Sequence, residues 1–360
     1  MINVTKAFLP PIEEYKKYLG GIWDRCHLTN HGPLVLELEA KLKDYFGVKY
    51  FLFLNNGTIA LQLAIKALEL KGEIITTPFS YVATTSSIVW ENAVPVFVDI
   101  EPRSFTIDPE KIEAAITEKT SAILATHVYG IPCDVEAIAA IAAKHNLRVV
   151  YDAAHAFGVS YRGISLMNFG DISTISFHAT KLFHTVEGGG VATNSDELGH
   201  KLSYLRNFGH RGQDEFWGLG INGKNSEFHA AMGLCNFRYI ESILDGRKKL
   251  CNTYETIFSE LGLNLKRPQI PDTTKYNYAY FPIVFETESQ LIEARLYLNE
   301  LSIYPRRYFF PSLDKLPYVF NQNNLEVASS VASRVLCLPL YQDLDTEVIR
   351  LICETVKRVF

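Results

Sequence analysis

The chain has 360 residues, 48% of them hydrophobic and 21% charged, with a formal net charge of −5. That length supports one large core plus a smaller one, and the composition is that of a folded globular protein rather than a disordered one. The acidic balance excludes an extended nucleic-acid surface, which needs clustered Lys and Arg, so any phosphate partner is expected to be small and locally held.

Apolar runs break well before the roughly 20 residues of a membrane span, so no membrane partner is expected. The start, Met1 to Phe8, lacks the basic and apolar regions of a secretory signal, and a cytoplasmic location is expected. Cys26, Cys133, Cys235, Cys251, Cys337 and Cys353 are scattered, with no Cys-x-x-Cys pair and no His at ligand spacing. They read as free thiols, and no metal site is expected.

Seven short apolar runs rich in β-branched and aromatic residues read as strands: 50–54, 74–77, 95–98, 122–126, 148–152, 172–176 and 190–193. Helical patterns at 59–70, 135–145 and 197–205 separate several of them. This alternation predicts an α/β domain with a seven-stranded, mainly parallel sheet covered on both faces. From about residue 245 the pattern changes to a strand at 280–285, a helix at 288–301, a strand beginning at Ile303 and a closing helix at 345–359. A large domain over 1–244 and a smaller C-terminal α+β domain over 245–360 are therefore expected.

In such sheets ligands sit at the carboxyl ends of strands, so the loops there carry the candidate chemistry. After the first strand, Asn56, Gly57 and Thr58 open a helix, an anion site in outline because free N–H groups and the helix dipole attract phosphate. Read alone, an ordinary helix start fits as well. Tyr81, in the loop 77–84, has the face to stack on a planar ring, or equally to pack as a loop aromatic. Asp152 ends the fifth strand, and a carboxylate buried there needs a partner such as a pyridinium nitrogen; a helix-capping role is the alternative. His155 follows within reach of a ring hydroxyl. The segment 176–190 places Ser176 and Lys181 before a glycine-rich turn, and a lysine beside an anion cradle suits attachment of an aldehyde cofactor.

These residues match motifs of the DegT/DnrJ/StrS family of sugar aminotransferases, which the chain resembles over nearly its whole length. The matching blocks are 29–33, 56–58, 78–81, 152–155, 176–181 with 187–189, and 222–227. The resemblance implies the aspartate-aminotransferase-like fold (pyridoxal-phosphate fold type I) with pyridoxal 5'-phosphate as cofactor. It further implies that Lys181 attaches the cofactor and moves the substrate proton. Asp152 would hold the pyridine nitrogen, His155 the ring hydroxyl and Tyr81 the ring face, while Gly57, Thr58 and Ser176 would bind the phosphate. Asn222 would reach the cofactor of a second subunit, so a homodimer with shared active sites is implied.

Two positions depart from the family pattern: Val186 stands where Gly is common before Glu187, and Lys224 where Arg is common. A branch of the family that dehydrates has His in place of the lysine, and Lys181 argues against that branch. The implied reaction is transfer of an amino group from L-glutamate to a nucleotide-linked keto-deoxyhexose. The overall likeness favours dTDP-4-keto-6-deoxy-D-glucose going to dTDP-4-amino-4,6-dideoxy-D-glucose for O-antigen or other surface polysaccharide. A 3-keto or galacto-product enzyme is the nearest alternative, and a non-catalytic sensor on the same fold a more distant one. Phe8, Asn277, Tyr278, Arg306, Arg307 and Tyr308 are the candidate nucleotide-sugar contacts, since Arg pairs with diphosphate and aromatics stack on a base. A nicotinamide dehydrogenase would need a Gly-x-Gly-x-x-Gly turn early in the chain, and none is present.

Overall fold

The computed structural model describes residues 1–319 and 325–360. Seven strands form the main sheet: β1 (Tyr50–Leu54), β2 (Glu73–Thr76), β3 (Val94–Phe97), β4 (Thr120–Thr126), β5 (Arg148–Asp152), β6 (Ile172–Ser176) and β7 (Gly189–Thr193). Their spatial order is β1-β7-β6-β5-β4-β2-β3, and only β7 runs against its neighbours. The seven strands match the sequence expectation within one residue at most ends. Exceptions are β4, which begins two residues earlier, and the first predicted helix, which spans Gly57–Ala67 rather than 59–70.

Period-two alternation explains why both faces are covered. In β1 the side chains of Phe51 and Phe53 join one cluster, and those of Leu52 and Leu54 join another with the helix Gly57–Ala67. In β4, Ala122 and Leu124 point to that second cluster, whereas Ile123 and Ala125 pack with Val135 and Ile138 of the helix Val135–His145. A strand apolar at every position is thereby buried on both sides, as parallel sheets require.

A smaller cluster gathers Tyr254 and Phe258 from the helix Ile240–Glu260, Phe281 and Ile283 from the strand Phe281–Val284, and Leu336 and Leu338 from its antiparallel partner Val335–Leu338. Leu291 and Leu298 of the helix Glu288–Glu300 and Ile349 and Ile352 of the helix Thr346–Lys357 complete it. The helix Ile240–Glu260 runs unbroken through position 245, and the N-terminal pair Ile2–Asn3 hydrogen-bonds to Ile303–Tyr304. Chain ends and the C-terminal elements are thus interleaved.

Register brings the carboxyl ends of the central strands level. Thr126 lies opposite Asp152, Asp152 opposite Thr174, and Ser176 opposite Gly189, which in turn faces Leu54. Every loop singled out in the sequence therefore opens on one edge of the sheet. Among the described residues no helix is long and apolar enough to cross a membrane, no group of three or more ligands is arranged for a metal ion, and the six cysteines are free.

Candidate active site

The cavity at that edge is lined by Gly57, Thr58, Tyr81, Asp152, His155, Ser176 and Lys181, joined by Arg306 and Tyr308. At one end the helix Gly57–Ala67 begins. Asn56 caps it by accepting the Ile59 N–H at 2.8 Å. The N–H groups of Gly57 and Thr58 precede the first intrahelical bonds and so offer donors to an anion. A Cβ at Gly57 would stand 2.9 Å from Ser176 Cβ, so only glycine lets the helix start lie against the end of β6. Gly189 is required from the other side, since a Cβ there would come 2.5 Å from the Asn56 carbonyl carbon.

At the other end stands Asp152, buried, with Oδ1 accepting the Ala154 N–H at 3.1 Å and Oδ2 accepting the Thr84 hydroxyl at 2.7 Å. Burial pushes its carboxyl above the ordinary range, opposed by the Thr84 and Ala154 hydrogen bonds and by the charge of Lys181. A carboxylate in this position is short of one strong cationic partner. It does not cap a helix: the chain turns through Ala153 and Ala154 instead.

His155 is buried between Phe309, parallel at 5.5 Å between centroids, and Tyr280, edge-on at 5.0 Å. Its Nδ1 accepts the Tyr129 N–H at 3.2 Å, so the neutral ring carries its proton on Nε2 and can donate it. Burial, reinforced by Lys181, holds its pKa well below the ordinary value. Lys181 is half-buried, and crowding by protein lowers its ammonium pKa to about 8, with Asp152 opposing that fall. A neutral amine is thus available near physiological pH.

The substrate-side expectations divide. Arg306 and Tyr308 line the cavity, with the guanidinium 4.7 Å from the centre of the Tyr308 ring. Asn277 does not: it is fully buried, donating to the carbonyls of His155 at 2.8 Å and Phe157 at 2.9 Å and accepting the Ala279 N–H. Arg307 points away as well, paired with Glu288 at 2.6 Å, bonded to the Ser333 carbonyl and lying 3.5 Å over Phe310. Tyr278 packs edge-on to Tyr276 beside the smaller core. Phe8 lies against Tyr239 and lines a separate small recess behind Lys181. Asn222 is outside the cavity of its own chain; its Oδ1 accepts from Lys224 at 3.0 Å, next to the Asn55 N–H bonded to the Gly223 carbonyl.

Sequence reading missed Thr84, Ser80 and Thr126 around Asp152, and Tyr129, Tyr280 and Phe309 around His155. The first two sit inside the segment 77–84, expected to be a loop, but the chain turns helical at Val82, so Thr84 lies in the first turn of the helix Val82–Trp90. The aromatics come from distant elements and leave no local signal.

The arrangement fits pyridoxal phosphate: an anion cradle whose glycines leave no room for a side chain, a buried carboxylate with no ion pair among the described residues, an imidazole N–H donor, and a lysine with a depressed pKa. A profile described as the DegT/DnrJ/EryC1/StrS aminotransferase family matches residues 12–357. A dTDP-4-amino-4,6-dideoxy-D-glucose transaminase of Shigella dysenteriae is 43% identical, covering 99% of both chains. One of the same description from Escherichia coli is 39% identical over 97% of this chain and 96% of its own. Among solved structures, DesI in the presence of its TDP-sugar product superposes with a TM-score of 0.93 at 29% identity, covering 99% of this chain and 92% of that one.

Proposed function

From the premise that this chain belongs to the DegT/DnrJ/EryC1/StrS aminotransferase family, and is a pyridoxal-phosphate-dependent sugar aminotransferase, we propose a specific reaction for it. It transfers the amino group of L-glutamate to dTDP-4-keto-6-deoxy-D-glucose, giving dTDP-4-amino-4,6-dideoxy-D-glucose and 2-oxoglutarate. The observation that carries the substrate is the 43% identity, end to end, with the Shigella transaminase.

When bound, the cofactor supplies the group that accepts the amine and the ring that delocalises the electrons of the substrate carbon. In our reading the protein's own residues do the following. The helix start at Gly57 and Thr58, with Ser176, holds the phosphate. Asp152 keeps the ring nitrogen protonated, and His155 Nε2–H donates to the ring hydroxyl. Tyr81 covers one ring face. Lys181 Nζ would take a proton from the substrate carbon and hand it, on the same side of the ring, to the cofactor carbon that bears the amine. Arg306 offers its charge to the anionic part of either substrate, while Tyr308 and Tyr280 wall the sugar side.

A homodimer belongs to the same proposal. Asn222 lies outside its own cavity and pairs with Asn207, closing the 207–222 excursion that carries exposed Phe208, Trp217 and Leu219, an apolar surface that we assign to a second copy. We place the enzyme in the cytoplasm and its product in O-antigen or another surface polysaccharide. Incubating the purified protein with glutamate and each of the 3-keto and 4-keto dTDP sugars, then assigning products by NMR, tests the substrate. The expected product is the 4-amino gluco sugar alone; a 3-amino or galacto product would replace the proposed substrate or stereochemistry.

A further inference from the structure

Three buried hydroxyls run in a chain to Asp152. Thr126 Oγ1 donates to Ser80 Oγ at 3.1 Å, Ser80 and Thr84 are 2.7 Å apart, and Thr84 Oγ1 donates to Asp152 Oδ2 at 2.7 Å. All three side chains are within 1% of complete burial. An ionised carboxylate only accepts, so Thr84 spends its one proton on Asp152. Its oxygen must then accept from Ser80, which in turn accepts from Thr126. Every hydroxyl in the row is therefore polarised toward the carboxylate, and the bonds reinforce one another.

The row is costly unless it serves the acid. Buried hydroxyls lose solvation, and Val would fill the Thr84 site with nearly the same volume. Of the titratable groups around Asp152, Lys181 favours the ionised form, whereas burial keeps His155 and His127 uncharged, His127 being pushed down to about 3. The Cys133 thiol is raised by burial and remains protonated. Before a cofactor nitrogen arrives, the charge on Asp152 thus depends on Lys181, the Ala154 N–H and this row.

We propose that Thr84, backed by Ser80 and Thr126, is a positioning residue that keeps the Asp152 carboxylate ionised and aimed at the ring nitrogen of the cofactor. This rests on the reading of Asp152 given above. The same short segment then serves the ring twice, with Tyr81 at its face and Thr84 acting through Asp152.

The test compares binding of pyridoxal phosphate and of 1-deazapyridoxal phosphate, which lacks the ring nitrogen, to the apo-protein by equilibrium dialysis. The variants are Thr84→Val, Thr84→Ser, Ser80→Ala and Asp152→Asn, each checked for an unchanged apo far-UV spectrum. Thr84→Val is expected to weaken pyridoxal phosphate roughly tenfold while changing the deaza analogue less than about twofold, with Thr84→Ser restoring the difference and Ser80→Ala giving a smaller loss of the same kind. Equal weakening of both ligands, or no weakening of either, would overturn the proposal by reducing Thr84 to a packing role. If Asp152→Asn itself fails to distinguish the two ligands, the assignment of Asp152 to the ring nitrogen is wrong and the proposal falls with it.

Discussion

The depressed pKa of Lys181 makes a quantitative prediction about cofactor capture. Attachment needs the neutral amine. An ordinary lysine, titrating at 10.5, offers roughly 300-fold less of it near neutral pH than one titrating at about 8. The rate at which apo-protein takes up pyridoxal phosphate, followed by stopped-flow absorbance, should rise with pH through a midpoint near 8 and level off above about pH 9. Asp152 works against the shift, because its negative charge favours the ammonium. The Asp152→Asn variant should therefore capture cofactor with a midpoint below 8, although it should hold the cofactor less tightly afterwards. A wild-type rate still climbing toward pH 10, or a midpoint that moves upward in Asp152→Asn, would refute the claim that burial sets the amine's pKa.

Other predictions follow from single contacts. Gly57→Ala forces a Cβ to within 2.9 Å of Ser176, an overpacking worth about 1–3 kcal/mol, and should weaken cofactor binding about tenfold by dialysis. Val186 has φ of 69° and is 45% exposed, so a β-branched residue sits in left-handed backbone with little packing to lose. Val186→Gly relieves about 1–2 kcal/mol of strain against about 0.5–1 kcal/mol of added chain entropy, and should raise the melting temperature slightly rather than lower it. Asn277→Ala leaves two buried carbonyls, those of His155 and Phe157, without their donor, and should cost roughly 2–5 kcal/mol in denaturant unfolding. The same substitution should act on stability and cofactor hold, with the nucleotide-sugar KM little changed.

The sheet was legible because its strands are apolar at consecutive positions and the intervening helices carry their own period. Phe51 and Phe53 against Leu52 and Leu54 show how a run with no visible alternation still feeds two cores. The residues brought together at the sheet edge, Gly57, Asp152, Ser176 and Lys181, each close a strand or open the next loop, so strand ends located them. The substrate side was harder to read. Arg306 and Arg307 are adjacent, and only the fold sends the first to the cavity and the second to Glu288. Asn277 looked like a ligand-binding polar residue in an aromatic stretch, yet it holds two carbonyls of the His155 turn. Thr84, Ser80 and Thr126 gain meaning only from a hydrogen-bond chain joining the start of the helix Val82–Trp90 to the end of β4, which no spacing announces.

Transamination in two halves at Lys181 would show itself in the absorbance of the cofactor-loaded protein under alternating substrates. A near-visible band should be bleached stoichiometrically by L-glutamate and restored by dTDP-4-keto-6-deoxy-D-glucose, with Lys181→Ala unable to cycle between the two. A band that glutamate leaves untouched, or a Lys181→Ala variant that completes repeated cycles, would contradict it.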